Sequence, residues 1–247
     1  MSRPILEGVR VLDLTNVLAG PFCTLHLALL GAEVIKVENP KDGDLARKLG
    51  IVPELNDQLM GTSFLAQNSN KKSLTLNTKS PEGKEIFRKL AKTADVLVEN
   101  FRPDVMDRLG LGYDALKEIN PRLIYCAISG FGHTGPDALK PAYDQIIQGL
   151  SGVMAVNGDE RLNPLRAGFP VCDTVGGLNA AFAIMAALYH RERTGEGQFI
   201  DVALLDSIMP LMGWVAANLL IGHQQPVVMG NDNFTAAPSG TFRTKDG

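Results

Sequence analysis

Gly8–Val37 reads GVRVLDLTNVLAGPFCTLHLALLGAEVIKV, and this stretch decides the fold class. Gly8–Leu14 is a β-type run, Pro21–Leu30 reads as a helix, and Gly31 stops that helix before Ala32–Val37 forms a second strand. A strand, a helix and a strand in so short a span call for a crossover connection and parallel pairing. The pattern continues downstream. Ser80-Pro81-Glu82 starts a helix that runs to about Thr93, with proline in the first turn. Asp95–Glu99 is a strand, Tyr113–Ile119 a short helix ending at Asn120-Pro121, and Leu123–Ser129 a strand. After a Gly- and Pro-rich loop over Gly130–Pro141, Asp144 to Ser151 reads as a helix, and Phe199–Ala203 is one more strand. The expectation is an open, doubly wound α/β domain of the Rossmann-like kind, with a parallel sheet and ligands at the carboxyl ends of its strands.

Beyond Ala203 the character changes. Leu204–Ile221 is an apolar helical stretch carrying the single tryptophan, Trp214, and Gly222–Gly247 is irregular, with a turn at Arg243–Gly247 that reads as the middle of a hairpin. The chain has 247 residues, 45% hydrophobic and 21% charged, enough for one large or two small cores. A net charge of −3 without a basic run gives no support for nucleic-acid or membrane-surface binding. Cys23, Cys126 and Cys172 are scattered and odd in number, so neither a disulfide framework nor a zinc site follows. The apolar segment Leu178–Leu188 is shorter than the roughly 20 residues of a membrane span, and the expectation is a soluble, cytoplasmic protein.

Candidate chemistry centres on Asp173. It lies at the mouth of a long apolar helix that is closed by Thr194-Gly195, where orphan backbone N–H groups and the helix dipole are expected to keep a carboxylate ionised. Such a group is either an ordinary helix cap or a nucleophile. No rival nucleophile emerges. The loop after the first strand, Thr15–Pro21, is not G-x-G-x-x-G, and neither a P-loop nor a G-x-S-x-G elbow occurs. His26, His133, His190 and His223 show no metal spacing, so no metal is expected. His26 reads as a packed core residue and Cys172 as a small apolar filler.

Several segments in order resemble the family III CoA-transferases, the CaiB/BaiF type that includes formyl-CoA, carnitine and succinate–dicarboxylate CoA-transferases and the α-methylacyl-CoA racemases. They are Leu6–Thr15 with Ala19-Gly20-Pro21, Leu30–Glu38, Asn70–Leu74, Asp95–Pro103, Arg108–Tyr113, Ser129–Gly132, Tyr143-Asp144, Asp173 and Thr194–Gln198 with Asp201-Val202. The resemblance implies transfer of CoA from an acyl-CoA, such as succinyl-CoA, to a carboxylic acid through an anhydride and a CoA thioester on Asp173. CoA is then substrate and carrier, and no separate cofactor is implied. The resemblance also implies CoA contacts from Val17, Leu18 and Ala19, from Asn39, Leu76 and Lys79, from Asn100 and Phe101, and from Arg108 and Lys140. Tyr143 would line the acyl pocket, and Gly176 and Gly177 would let a thioester lie close to the helix backbone, although close helix packing explains the two glycines as well.

By the same resemblance, residues 1–203 form a large CoA-binding domain, 204–223 a helical linker and 224–247 the start of a small domain. The partner implied is a second copy, in an interlocked homodimer. Gly230–Gly240 would be a flap over the aspartate; it lacks the glycine run of oxalate-linked enzymes, which argues against oxalate as acceptor, while the Lys245-Asp-Gly247 ending and the Leu220-Ile-Gly-His223 helix end resemble the succinate–dicarboxylate branch. Tyrosine at position 143, where the racemases need an acid–base histidine, favours transfer, since its reference pKa is about 10. A CoA-binding fragment without catalysis and a racemase stay open beside the transferase.

Overall fold

A computed structural model describes residues 3–233 and 236–246. Its strands are β1 (Arg10–Asp13), β2 (Glu33–Glu38), β3 (Lys72–Thr75), β4 (Val96–Glu99), β5 (Ile124–Ser129) and β6 (Phe199–Ala203). They form one six-stranded sheet in the order β3-β2-β1-β4-β5-β6. Every neighbouring pair is parallel; Val11, for instance, sits opposite Val34 on one side and Val96 on the other. The helices are α1 (Ala19–Leu29), α2 (Pro53–Asp57), α3 (Thr62–Asn68), α4 (Pro81–Ala91), α5 (Val105–Leu109) and α6 (Tyr113–Lys117). They continue with α7 (Asp144–Leu150), α8 (Val153–Val156), α9 (Val171–Thr194), α10 (Leu204–Ile208) and α11 (Gly213–Leu220).

Period-two alternation sends successive strand side chains to opposite faces, and both faces are buried. Val11, Val34, Val96, Val98, Ile124 and Cys126 pack with α1 and α9, whereas Leu12, Val37, Leu97, Tyr125 and Ala127 pack with Phe87 of α4, Met106 of α5 and Leu116 of α6. This explains why the strands read as near-continuous apolar runs. The exception is β3, which sequence reading did not identify. It is an edge strand paired with β2 alone, and Lys72, Ser73 and Thr75 are exposed, so no apolar pattern marks it.

α9 is longer than the Leu178–Leu188 core of its sequence. By length and composition its 24 residues, with a mean hydropathy of 1.6 over the most apolar window, are enough to cross a membrane. In the fold, Ala180, Ile184, Ala187 and Leu188 bury against α1 and the sheet, and Arg191 pairs with Asp95 at 2.9 Å. Gly195, at φ +80°, ends the helix in the left-handed conformation that glycine adopts without a Cβ penalty. Leu204–Ile221, expected as one helix, divides into α10, a tight turn over Met209–Met212 containing Pro210, and α11. No strand forms among the described residues beyond Leu220; Lys245 and Asp246 form a turn, and Gly247 lies outside the described residues.

Strand order reverses direction between β1 and β4, because the chain leaves β1 toward β2 and β3 and returns to the other side for β4. In an open parallel sheet the loops diverge at such a point and leave a crevice at the carboxyl ends of the strands. The candidate site lies in that crevice.

Candidate active site

The crevice encloses about 280 Å³ and draws its walls from four places. Asn16–Ala19 follow β1, Asn100–Pro103 follow β4, Ile128–Gly130 end β5, and Lys140–Tyr143 precede α7. Asp173 and Leu204 complete it.

The loop after β1 is held by an unusually dense polar network. Val17 has φ +65°, a conformation that costs a β-branched residue about 1–3 kcal/mol unless its surroundings enforce it. They do: the Val17 N–H donates to Asp44 Oδ1 at 2.9 Å. Asn100 brackets Asn16, accepting from its N–H at 2.7 Å and donating to its carbonyl at 2.8 Å. Beneath the loop, Lys36 Nζ donates to the Thr15 carbonyl at 2.7 Å and pairs with Asp44 at 2.9 Å. Lys71 Nζ pairs with Asp13 at 3.0 Å and donates to the Pro21 carbonyl at 2.9 Å. Burial alone would raise the Asp13 pKa, but Lys36, Lys71 and the hydroxyls of Thr15 and Thr24 outweigh it and hold the carboxyl at about 2.

Asp173 does not cap its helix. Pro170 stands at the cap position, and Asp173 lies two residues inside the first turn of α9. The orphan amides that were expected to hold the Asp173 carboxylate are already taken. Asp144, the first residue of α7, accepts at one oxygen, Oδ1, from the N–H groups of both Cys172 (2.7 Å) and Asp173 (3.1 Å). Its other oxygen accepts from Gln148 Nε2, and Gln148 Oε1 accepts from the Ala167 N–H at 2.8 Å. Asp144 and Gln148 are both buried. The remaining first-turn amides, of Val171 and Thr174, donate to the carbonyls of Phe169 and Pro170. The helix start therefore supplies no free amide for an oxyanion.

This arrangement opposes the ionisation that was expected. Burial first, and the Asp144 carboxylate second, push Asp173 up to about 7. The cysteines offer no competing nucleophile: burial, Asp144 and Asp173 push the Cys172 thiol up to about 12, and burial also pushes Cys23 and Cys126 upward. Sequence reading missed one further perturbed acid. Glu99, at the end of β4, is pushed up to about 8, chiefly by burial, and faces a separate cavity with Tyr113, Tyr125, His133 and Phe199.

Of the residues singled out from sequence, the crevice gathers Val17, Leu18, Ala19, Asn100, Phe101, Lys140, Tyr143 and Asp173. Tyr143 is 72% exposed at its rim. Arg102, missed by sequence reading, adds a second cation beside Lys140. Asn39, Leu76, Lys79 and Arg108 do not line it. Asn39 follows β2 and Leu76 and Lys79 follow β3, on the same carboxyl edge of the sheet, while Arg108 pairs with Asp104 on the surface of α5. Gly176 and Gly177 are not among the lining residues, but both pack against residues that are. A Cβ on Gly176 would overlap Leu204, and one on Gly177 would come within 2.5 Å of the Ala19 carbonyl, so each glycine lets the helix sit directly behind a wall of the crevice. The described part of the expected flap does not cover Asp173; Gly230, Asp232 and Asn233 border another cavity with Trp214, and Phe234 and Thr235 lie outside the described residues.

The family model for CoA-transferase family III matches residues 6–247. The chain belongs to the family III CoA-transferases. This family III chain is 47% identical over 246 residues to the succinyl-CoA:glutarate CoA-transferase of Mus musculus, covering all of the chain and 56% of that relative. It is 44% identical to the acetyl-CoA:oxalate CoA-transferase of Acetobacter aceti, over 97% of the chain and 61% of the relative. A crystal structure of a CAIB/BAIF family protein from Brucella suis superposes with a TM-score of 0.90 at 40% identity, covering 100% of the chain and 65% of that structure. The chain thus spans little more than half the length of the first of these curated relatives.

Proposed function

We propose that the chain carries the nucleophile and most of the CoA-facing wall of a CoA-transferase, with Asp173 as the catalytic residue. The observation that carries this reading is a carboxyl group lining the crevice at the sheet's switch point, with no side-chain hydrogen-bond donor on it among the described residues. A deprotonated Asp173 oxygen attacks the thioester carbonyl of the donor; the C–S bond breaks, CoA leaves as thiolate, and a mixed anhydride remains. The thiolate then attacks the aspartyl carbonyl and expels the donor carboxylate, leaving a CoA thioester on Asp173. The acceptor carboxylate attacks that thioester and releases CoA thiolate with a second anhydride. Attack of the thiolate on the acceptor carbonyl gives the new acyl-CoA and frees Asp173. No step consumes water, and each intermediate keeps the energy of the thioester.

The CoA arm fits the apolar wall of Val17, Leu18, Ala19 and Phe101, with Asn100, Arg102 and Lys140 for its polar groups. From there the carboxyl edge of the sheet leads to Asn39, Leu76 and Lys79, where the nucleotide end would lie. The relatives' names favour succinyl-CoA as donor and a dicarboxylate such as glutarate as acceptor. Leu211, Trp214, Leu220 and Ile221 are exposed apolar residues in the segment after the sheet, which supports a homodimer that covers them. Incubation with succinyl-CoA followed by intact-mass and peptide mapping tests the chemistry. A CoA adduct confined to the Asp173 peptide is expected; undiminished CoA exchange by Asp173→Ala would overturn it.

A further inference from the structure

We propose that Asp144 is a positioning residue that holds the start of α9 and sets its own negative charge against the free Asp173 carboxylate, favouring the neutral, acylated forms of Asp173. The inference rests on the reading of Asp173 as nucleophile.

The geometry has two parts. Asp144 Oδ1 binds the amides of Cys172 and Asp173, so the carboxylate is fixed to the backbone of the residue it influences. Gln148 holds the other oxygen and is itself tied to the Ala167 amide, which leaves Asp144 no freedom to turn away. A simple cap needs only an acceptor, and a serine or asparagine supplies one. A full charge, buried at 7% exposure within one turn of a second carboxyl, does more. Like charges in a poorly solvated site raise each other's free energy.

Acylation of Asp173 removes its charge. In both the anhydride and the CoA thioester the aspartyl carbonyl is neutral, so the repulsion from Asp144 and the cost of a buried charge are relieved on loading. A more basic carboxylate is also the stronger nucleophile toward the donor thioester and the poorer leaving group from the anhydride. Thiolate attack on the first anhydride then expels the less basic donor carboxylate and leaves CoA on the enzyme. The other titratable groups on elements packed against α9 are His26 and Cys23 on α1, Tyr125 and Cys126 on β5, Asp201 on β6 and Asp206 on α10; α9 itself carries Cys172 beside Asp173 and, at its far end, Tyr189, His190, Arg191, Glu192 and Arg193. The upward displacement of Asp173 traces to burial and to Asp144.

The test compares the chain with its Asp144→Asn variant, which keeps an acceptor and removes the charge. The Asp173 side-chain carboxyl is followed by carbon-13 NMR titration, assigned with Asp173→Asn. The midpoint is expected to fall by at least about one pH unit in Asp144→Asn. The ratio of CoA-loaded to free protein, measured above the titration midpoint at a fixed ratio of succinyl-CoA to succinate, should fall about tenfold for each unit of that displacement. An unchanged midpoint in a folded Asp144→Asn protein overturns the proposal. If that variant does not fold, the unsubstituted chain still decides: the amides of Cys172 and Asp173 should be strongly protected from hydrogen exchange, and free exchange at both removes the assigned contact. A wild-type chain that shows the midpoint displacement but forms no adduct refutes the nucleophile reading and leaves the Asp144 contact standing.

Discussion

Replacing Asp173 with asparagine removes a carboxyl that the fold makes hard to ionise, and the protein should become more stable as it loses activity. The displacement from 3.8 to about 7 corresponds to about 4 kcal/mol against the ionised form, at about 1.4 kcal/mol per pH unit. Asp173 is only partly buried and lines an open crevice, so solvent reduces this to about 2 kcal/mol. The sign follows from proton binding. Between about pH 4 and pH 7 the folded chain holds a proton on Asp173 that the unfolded chain has lost, so the folded state loses stability as pH rises through that window. Above it the destabilisation is complete, and below it the effect vanishes. Asp173→Asn, which does not titrate, should therefore match the parent near pH 4 and exceed it by about 2 kcal/mol near pH 8, or roughly 4–8 °C in Tm for a chain of this size. Urea unfolding at both pH values, read by circular dichroism, measures the difference. Equal stabilities near pH 8, or a less stable variant, would refute the argument that the fold opposes the Asp173 charge.

Other consequences follow from the same contacts. CoA transfer should rise with pH through about 7 as Asp173 loses its proton, and a rate that is flat from about pH 5.5 to 8.5 would contradict the ionisation assigned to it. Lys71→Met leaves Asp13 buried with one counter-charge fewer, and breaking such a pair costs about 3–5 kcal/mol. Thermal unfolding should show that loss, and a Tm within about 2 °C of the parent would show that the pair is not buried as described. Gly177→Ala drives a methyl group against the Ala19 carbonyl and should lower stability by about 1–3 kcal/mol. If stability held while the KM for acyl-CoA rose, the glycine would be a substrate contact after all.

Much of the frame is legible in the chain. The β1–α1–β2 unit, the apolar runs of β4 and β5 and the Gly195 stop are local signals, since a buried parallel strand must be apolar on both faces and a left-handed residue favours glycine. The exposed edge strand β3 carries no such signal. Asp173, Asn100, Phe101 and the loop at Val17–Ala19 are legible as candidates because each follows a strand or opens a helix where such sheets bind ligands. Arg102 is not, for an exposed arginine after a strand looks like any solvated charge.

What the sequence by itself determined is the order of elements, and through it the parallel sheet and the family. Only the tertiary structure decided the electrical state of the site. Read alone, Asp173 sits at a helix start and should be a stabilised anion; in the fold, a residue 29 positions earlier reaches that start first and takes the amides. Backbone N–H groups at a helix end are a local feature of sequence, but which acceptor occupies them is settled by packing between distant segments. Here α7 delivers a second buried carboxylate to the same turn.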